Sequence, residues 1–359
     1  MTVALCLLTA FAITFLALPS VIQVARIKNL YDVPTERSSH SKNTPSLGGV
    51  GIFAGAVFSI IFWTDFQSSS NMKYALCSMI IIFLIGLKDD LLPLSPWKKL
   101  LGQVLAAVIL VFLSGYRLHS FYGFLGFEGP LPIWISAILS VFLILVISNA
   151  FNLIDGINGL AGSISCLTAG AFGSWFWAAG FTDLAVLSFA LVGAVLAFLR
   201  FNLSPASIFM GDTGSLFIGL ILAVLTLRFL ELNSTLAFDS ELKVQASPTV
   251  AIGILIIPLF DTIRVFITRI IRGQSPFRAD RRHIHHLLVD FGFSHTQATG
   301  LLVLVNCLFI CFVVSMSNVL ELHFLLAIIL SVATIATLRL HLAVLRKQNL
   351  RSRQSVLSS

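Results

Sequence analysis

The sequence predicts an all-α polytopic membrane protein with about eleven transmembrane helices, the N-terminus outside, the C-terminus cytoplasmic and the active site on the cytoplasmic face. Three observations carry that prediction. The 359 residues are 57% hydrophobic and 11% charged, against about 25% charged in soluble domains. The apolar residues gather into runs near the roughly 20-residue length that crosses a bilayer as helix. The Lys and Arg residues concentrate in every second loop between those runs.

In chain order the runs fall near 3–22, 47–63, 72–87, 99–115, 131–148, 160–179, 184–199, 213–230, 249–271, 299–316 and 322–338. The first lacks a basic leading segment and a small-residue cleavage pattern, so it is expected as a retained helix. The run at 160–179 is the one most diluted by Gly and Ala. If the runs alternate sides, every Lys and Arg except Lys73, Arg117, Arg228 and Lys243 follows an odd-numbered run or, for Arg264 and Arg269, lies in the last third or so of one. The positive-inside rule then sets the orientation. The net charge of +7 follows from this bias and from anionic membrane lipids, and gives no warrant for a nucleic-acid partner. Residues 1–345 read as a single transmembrane domain and 346–359 as a basic, disordered cytoplasmic tail. Cys6, Cys77, Cys166, Cys307 and Cys311 all lie in apolar runs without metal spacing and read as small core residues.

Polar groups interrupt this pattern at a few places. After the first run comes Arg37-Ser-Ser-His-Ser-Lys42, either a phosphate-facing loop or a positive-inside anchor. The third run ends in Lys88-Asp89-Asp90. Adjacent carboxylates raise each other's pKa unless a cation is near, which suits proton abstraction or a divalent ion; balance by Lys88, Lys98 and Lys99 is the plainer reading. The fifth run ends in Asn149, Asn152, Asp155 and Asn158 at intervals of three, a spacing that puts them along one helix wall. An idle amide in hydrocarbon costs several kcal/mol and an inserted carboxylate about 2.5–3.5. Gly156, Gly159 and Gly162 leave room for a ligand or for another helix.

Asp212, in Phe209-Met-Gly-Asp-Thr-Gly-Ser, heads the eighth run, either as a Mg²⁺ ligand or as an N-cap. Asp261 and Arg264 stand three apart beside Pro258 and read as a structural pair. The ensuing loop holds Asp280-Arg281-Arg282-His283-Ile-His285-His286, where neighbouring Arg favours an anion clamp over zinc. All these groups fall on one face if the runs alternate sides. A site for a phosphate-rich, water-soluble ligand with Mg²⁺ fits them, with a lipid as second substrate. A transporter of an anionic solute or ion is the alternative, although its charges would sit nearer the bilayer midplane in repeated halves.

Four of these motifs, Lys88–Asp90, Asn149–Asn158, Phe209–Ser215 and Asp280–His286, in this order, resemble the polyprenyl-phosphate N-acetylhexosamine-1-phosphate transferase superfamily, and the span count resembles its bacterial undecaprenyl-phosphate GlcNAc-1-phosphate branch. The resemblance implies a Mg²⁺-dependent enzyme (Mn²⁺ as a substitute) of the bacterial inner membrane. It would join a UDP-N-acetylamino sugar's sugar phosphate to undecaprenyl phosphate and release UMP. By position it implies Asn152 and Asp212 as metal ligands, with Asp155 close by, and Asp89 and Asp90 on the lipid phosphate. It implies Lys99 on phosphate, Phe209 stacked on uracil and Asn158 at the nucleotide edge, with Asn149 among the substrate-binding residues. Arg281, Arg282, His283, His285 and His286 would hold the diphosphate or sugar. The Asp-Arg-Arg-His-Ile-His-His string departs from the consecutive His of the peptide-carrying branch, which favours a simple amino sugar. The Arg37–Lys42 loop resembles enzymes that start O-antigen and related lipopolysaccharide or cell-wall polymers. The sugar and the oligomeric state, a homodimer among the alternatives, stay open.

Overall fold

A computed structural model describes residues 1–31, 44–67, 69, 71–275 and 282–357, with side chains to residue 348. The helices are α1 (Thr2–Ile27), α2 (Gly48–Trp63), α3 (Met72–Leu91), α4 (Pro96–Phe112), α5 (Ile133–Ile154), α6 (Leu160–Ala178), α7 (Thr182–Asn202), α8 (Gly211–Thr235), α9 (Ser247–Ile254), α10 (Ile256–Ile271), α11 (Ile284–Phe291), α12 (His295–Met316) and α13 (Leu322–Leu357). Every apolar run of the sequence falls on one of them, and the ninth falls on two. Among the described residues six helices, α1, α5, α7, α8, α12 and α13, are long and apolar enough to cross a membrane, and the α9–α10 pair is a seventh if it counts as one span. The fold is that of a multi-pass helical membrane protein. Arg281 and the Arg37–Lys42 loop lie outside the described residues. The helix α13 continues to Leu357, through most of the stretch that the sequence sets apart as a disordered tail.

The centre of the bundle is α8, whose apolar window is 83% buried, while those of α12 and α13 are 22% buried. Lipid tails are as apolar as Leu, so helices associate in a membrane through close packing and polar contacts rather than hydrophobic drive. Both appear here. A Cβ placed on Gly49 would fall 2.1 Å from the backbone nitrogen of Gly214, so α2 meets α8 backbone to backbone. Thr14 donates its hydroxyl to the Gly51 carbonyl at 3.1 Å and Ser59 donates to the Cys6 carbonyl at 2.7 Å, which ties α1 to α2.

The ninth run is not straight: α9 and α10 meet at 84° across Leu255. Pro258 supplies the reason, because it has no N–H for the Ile254 carbonyl and its ring clashes with that carbonyl in a continuous helix. The freed oxygen accepts instead from Thr168 Oγ1 at 3.4 Å and Asn306 Nδ2 at 3.3 Å. An interior break of this kind is tolerated where neighbours satisfy the backbone. At its start the pair touches the turn between α12 and α13, where Gln245 N–H donates to Asn318 Oδ1 at 3.0 Å. Further along, within α10, Asp261 meets His283, the residue before α11. The broken pair therefore joins the two ends of the bundle.

Candidate active site

Where α3 stops, its two final carboxylates face different ways. Asp90 Oδ1 accepts the N–H of Asp212 at 2.8 Å, and Oδ2 accepts the N–H of Thr213 at 3.0 Å and its hydroxyl at 2.5 Å. The first turn of α8 is thus capped from α3, and the side chain of Asp212 does not cap its own helix. A carboxylate there satisfies free N–H groups and complements the positive end of the helix dipole. Asp89 turns the other way: Oδ1 accepts the Leu94 N–H at 2.6 Å and Oδ2 lies 3.2 Å from the Lys99 ammonium. Lys99 is also in contact with Asp212 Oδ2, so one cation stands between two carboxylates.

The end of α5 supplies the opposite wall. Asn152 Nδ2 donates to Asp212 Oδ1 at 2.6 Å and to Ser215 Oγ at 2.9 Å. Asp155 follows the last helical residue and makes no hydrogen bond among the described residues. Burial first, then the nearby Asp212 and Asp90 carboxylates, push its carboxyl up to about 7. Asn158 donates to Ser204 Oγ at 3.0 Å. Asn149 is engaged behind this wall: its amide pairs reciprocally with that of buried Gln103, at 2.9 and 3.3 Å, joining α5 to α4.

The histidine motif closes a third side. His285 is buried, its Nε2 has no hydrogen-bond partner among the described residues, and burial followed by neighbouring His286 pushes it down to about 3. A Cβ on Gly156 would lie 2.2 Å from that nitrogen, so this glycine lets the imidazole approach the α5–α6 turn. The rings of His285 and His286 are 4.3 Å apart. His283 Nδ1 is 2.9 Å from Asp261 Oδ2.

These walls enclose a cavity of about 660 Å³ lined by Asp89, Asp90, Asn152, Asp155, Asn158, Phe209, Asp212 and His286 among others. Lys99, Asn149, His283, His285 and Arg282 stand behind or beside the lining, and the Arg282 carbonyl accepts from Arg264 at 2.5 Å. Four further contributors were not assigned from sequence. Tyr31, Asn202 and His295 line the cavity, and Asn202 also accepts the Gly159 N–H at 2.7 Å while donating to the Ile208 carbonyl at 2.9 Å. Asp261 is the fourth, through His283. For His295 a signal existed: Ser294 and Gln297 form a capping box that marks the helix start beside it.

Among the described residues no group of three His, Cys, Asp or Glu encloses a metal position. The donor set nevertheless suits Mg²⁺, which binds hard oxygens through one or two carboxylates and takes its remaining ligands from water and substrate phosphate. Asp89, Asp90, Asp155 and Asp212 bring four carboxyl groups to one cavity, and Lys99 is the cation in contact with Asp89 and Asp212.

A helical membrane protein with a carboxylate- and imidazole-lined cavity at one end of its bundle is the class that fold and site define. The chain belongs to glycosyl transferase family 4, whose family profile matches residues 72–230. It is 32% identical over 316 residues to the undecaprenyl-phosphate alpha-N-acetylglucosaminyl 1-phosphate transferase of Escherichia coli (strain K12), covering 86% of this chain and 82% of that one. It is 34% identical over 304 residues to the probable undecaprenyl-phosphate N-acetylglucosaminyl 1-phosphate transferase of Bacillus subtilis (strain 168), covering 84% and 80%. The similarly named Yersinia pestis protein is 31% identical over 287 residues, with 78% and 74% covered.

Proposed function

We propose that the protein transfers an N-acetylamino-sugar 1-phosphate from UDP-GlcNAc or a 6-deoxy relative to undecaprenyl phosphate, releasing UMP. The product is the lipid-diphosphate sugar that initiates a surface polysaccharide of the O-antigen type. The observation that carries this reading is the meeting of four separate sequence motifs around one cavity, in a chain whose relatives bear that transferase name. The reading includes about eleven crossings of the bacterial inner membrane, with the cavity facing the cytoplasm.

In this reaction an oxygen of the lipid phosphate bonds to the β-phosphorus of the nucleotide sugar. The bond from that phosphorus to the bridging oxygen breaks, and UMP leaves with that oxygen. Phosphoryl transfer of this kind depends on alignment and charge neutralisation more than on covalent help. Asp212 and Asn152 would hold Mg²⁺, with Mn²⁺ as a substitute, and the bound ion would neutralise diphosphate charge. Both oxygens of Asp90 are engaged by α8, so Asp89 is the carboxylate assigned to the lipid phosphate, to take its proton or orient it. Lys99 contacts phosphate beside it. Phe209 stacks on uracil, Asn158 reads the nucleotide edge, and His286, backed by His283, His285, Arg281 and Arg282, meets the diphosphate or sugar.

The test is UMP release by the purified protein with Mg²⁺, undecaprenyl phosphate and a panel of UDP-amino sugars. Turnover with at least one donor is expected, and none with any donor would overturn the proposal. Asp212→Asn should abolish turnover while the protein still folds; an active variant would remove the metal assignment.

A further inference from the structure

The helix that carries His285 and His286 is short. Eight residues make up α11, and helices below about 12 residues do not hold themselves in water. Its position must come from its neighbours, and both of its ends are held by charged groups from other helices. At the N-terminal end Asp261 Oδ1 accepts the Ile284 N–H at 3.0 Å, while Oδ2 is 2.9 Å from His283 Nδ1. Arg264 completes this junction, donating to Asp261 Oδ1 at 2.7 Å and to the Arg282 carbonyl at 2.5 Å. The Asp261 carboxylate is almost wholly buried.

At the other end Lys347, near the end of α13, donates its ammonium to the Phe291 carbonyl and lies 4.9 Å from the centre of the Phe291 ring. A cation at the last carbonyls of a helix also complements its dipole. Gly292, at φ +116°, turns the chain away there, and a Cβ on it would lie 2.9 Å from the Lys347 nitrogen. Val344, one turn earlier on α13, is buried.

We propose that Asp261 and Lys347 are positioning residues that grip the histidine-bearing helix α11 at its two ends and so set the donor side of the cavity. This rests on the reading above that His286 meets the nucleotide sugar. Neither residue lines the cavity, and Lys347 falls in the stretch that the sequence assigns to a tail.

The test uses the full chain with Lys347→Met, which keeps length and loses charge, Lys347→Arg, which restores the charge, and Asp261→Asn. Hydrogen exchange is followed at the amides of 284–292 and, as a control, at those of α8. Lys347→Met should speed exchange across α11 about tenfold and leave α8 unchanged. It should raise the KM for the UDP-sugar that the wild type uses several-fold, with kcat within about twofold, and Lys347→Arg should return both to wild type. Asp261→Asn should act in the same direction and more strongly; if it does not fold, Lys347→Met decides alone. Unchanged α11 exchange in Lys347→Met, or faster exchange with an unchanged KM, would overturn the proposal. If the wild type uses no UDP-sugar, the assigned reaction fails while the exchange measurement still judges the grip on α11.

Discussion

Asp90 offers the sharpest separation between a group that reacts and a group that holds. It accepts three hydrogen bonds from the first turn of α8. Asp90→Asn keeps one carbonyl oxygen and points an NH₂ at the remaining donors. The Thr213 hydroxyl can turn away, but at least one backbone N–H then loses its acceptor. That costs about 1–3 kcal/mol for the orphaned donor, plus about 0.3–1 kcal/mol for the lost anion at the helix N-terminus. Thr213→Val removes one bond to a charged group, about 1.5–3 kcal/mol. Because both changes act on a shared contact, the double variant should fall short of the sum by about 0.5–3 kcal/mol. The assay is equilibrium unfolding in mixed micelles without divalent metal, run on the wild type, both single variants and the double variant. If Thr213→Val is neutral, or the effects add within about 0.5 kcal/mol, Asp90 does not hold α8 and its place in the chemistry reopens.

Two further outcomes follow from the geometry. Gly156→Ala would place a methyl 2.2 Å from His285 Nε2; UMP release should fall at least tenfold while the variant folds, and normal turnover would show that His285 need not sit against the α5–α6 turn. His285 is held at about 3 against an ordinary 6.5, so between those values the unfolded chain binds more protons and stability rises with pH. Its contribution is complete above about 6.5 and is lost as pH falls toward 3. Unfolding free energies at pH 7 and pH 4.5 should therefore differ less in His285→Gln than in the wild type, and an equal difference would contradict the burial of this ring.

The helices were legible because a twenty-residue apolar run carries its own signal, and the break at Leu255 was foreshadowed by Pro258 within the ninth run. The end of the bundle that holds the site was legible too, since the carboxylates, amides and histidines all stand at run ends. What sequence order hid was the choice of partner. Asp89 and Asp90 are neighbours, yet one meets Lys99 and the other caps a helix 122 residues away, a difference set by which side of α3 each one leaves. Asn149 sits in register with Asn152 but turns to Gln103, because that amide is the one buried beside it. Asp261 looked complete with Arg264 three residues on, while its other contacts, His283 and Ile284, lie across the loop before α11. Spacing along one helix shows the pair and not the third party.

The sideways turn after Leu255 sets how the two walls of the cavity are carried. Its carboxylate jaw is mounted on α3, α5 and α8, with α8 at the dense middle of the bundle. Its imidazole jaw hangs from α10, which leaves α9 at 84° and exposes Ile263, Ile267 and Ile270, and from α13 at the rim. Of these helices α8 is the enclosed one; α3 exposes Ile80 and Leu84 and α5 exposes Ile138 and Phe142, as α10 exposes its isoleucines. A load from the surroundings can thus bear on either wall of the cavity, and it is the α8 edge, with Asp212, that the protein shields.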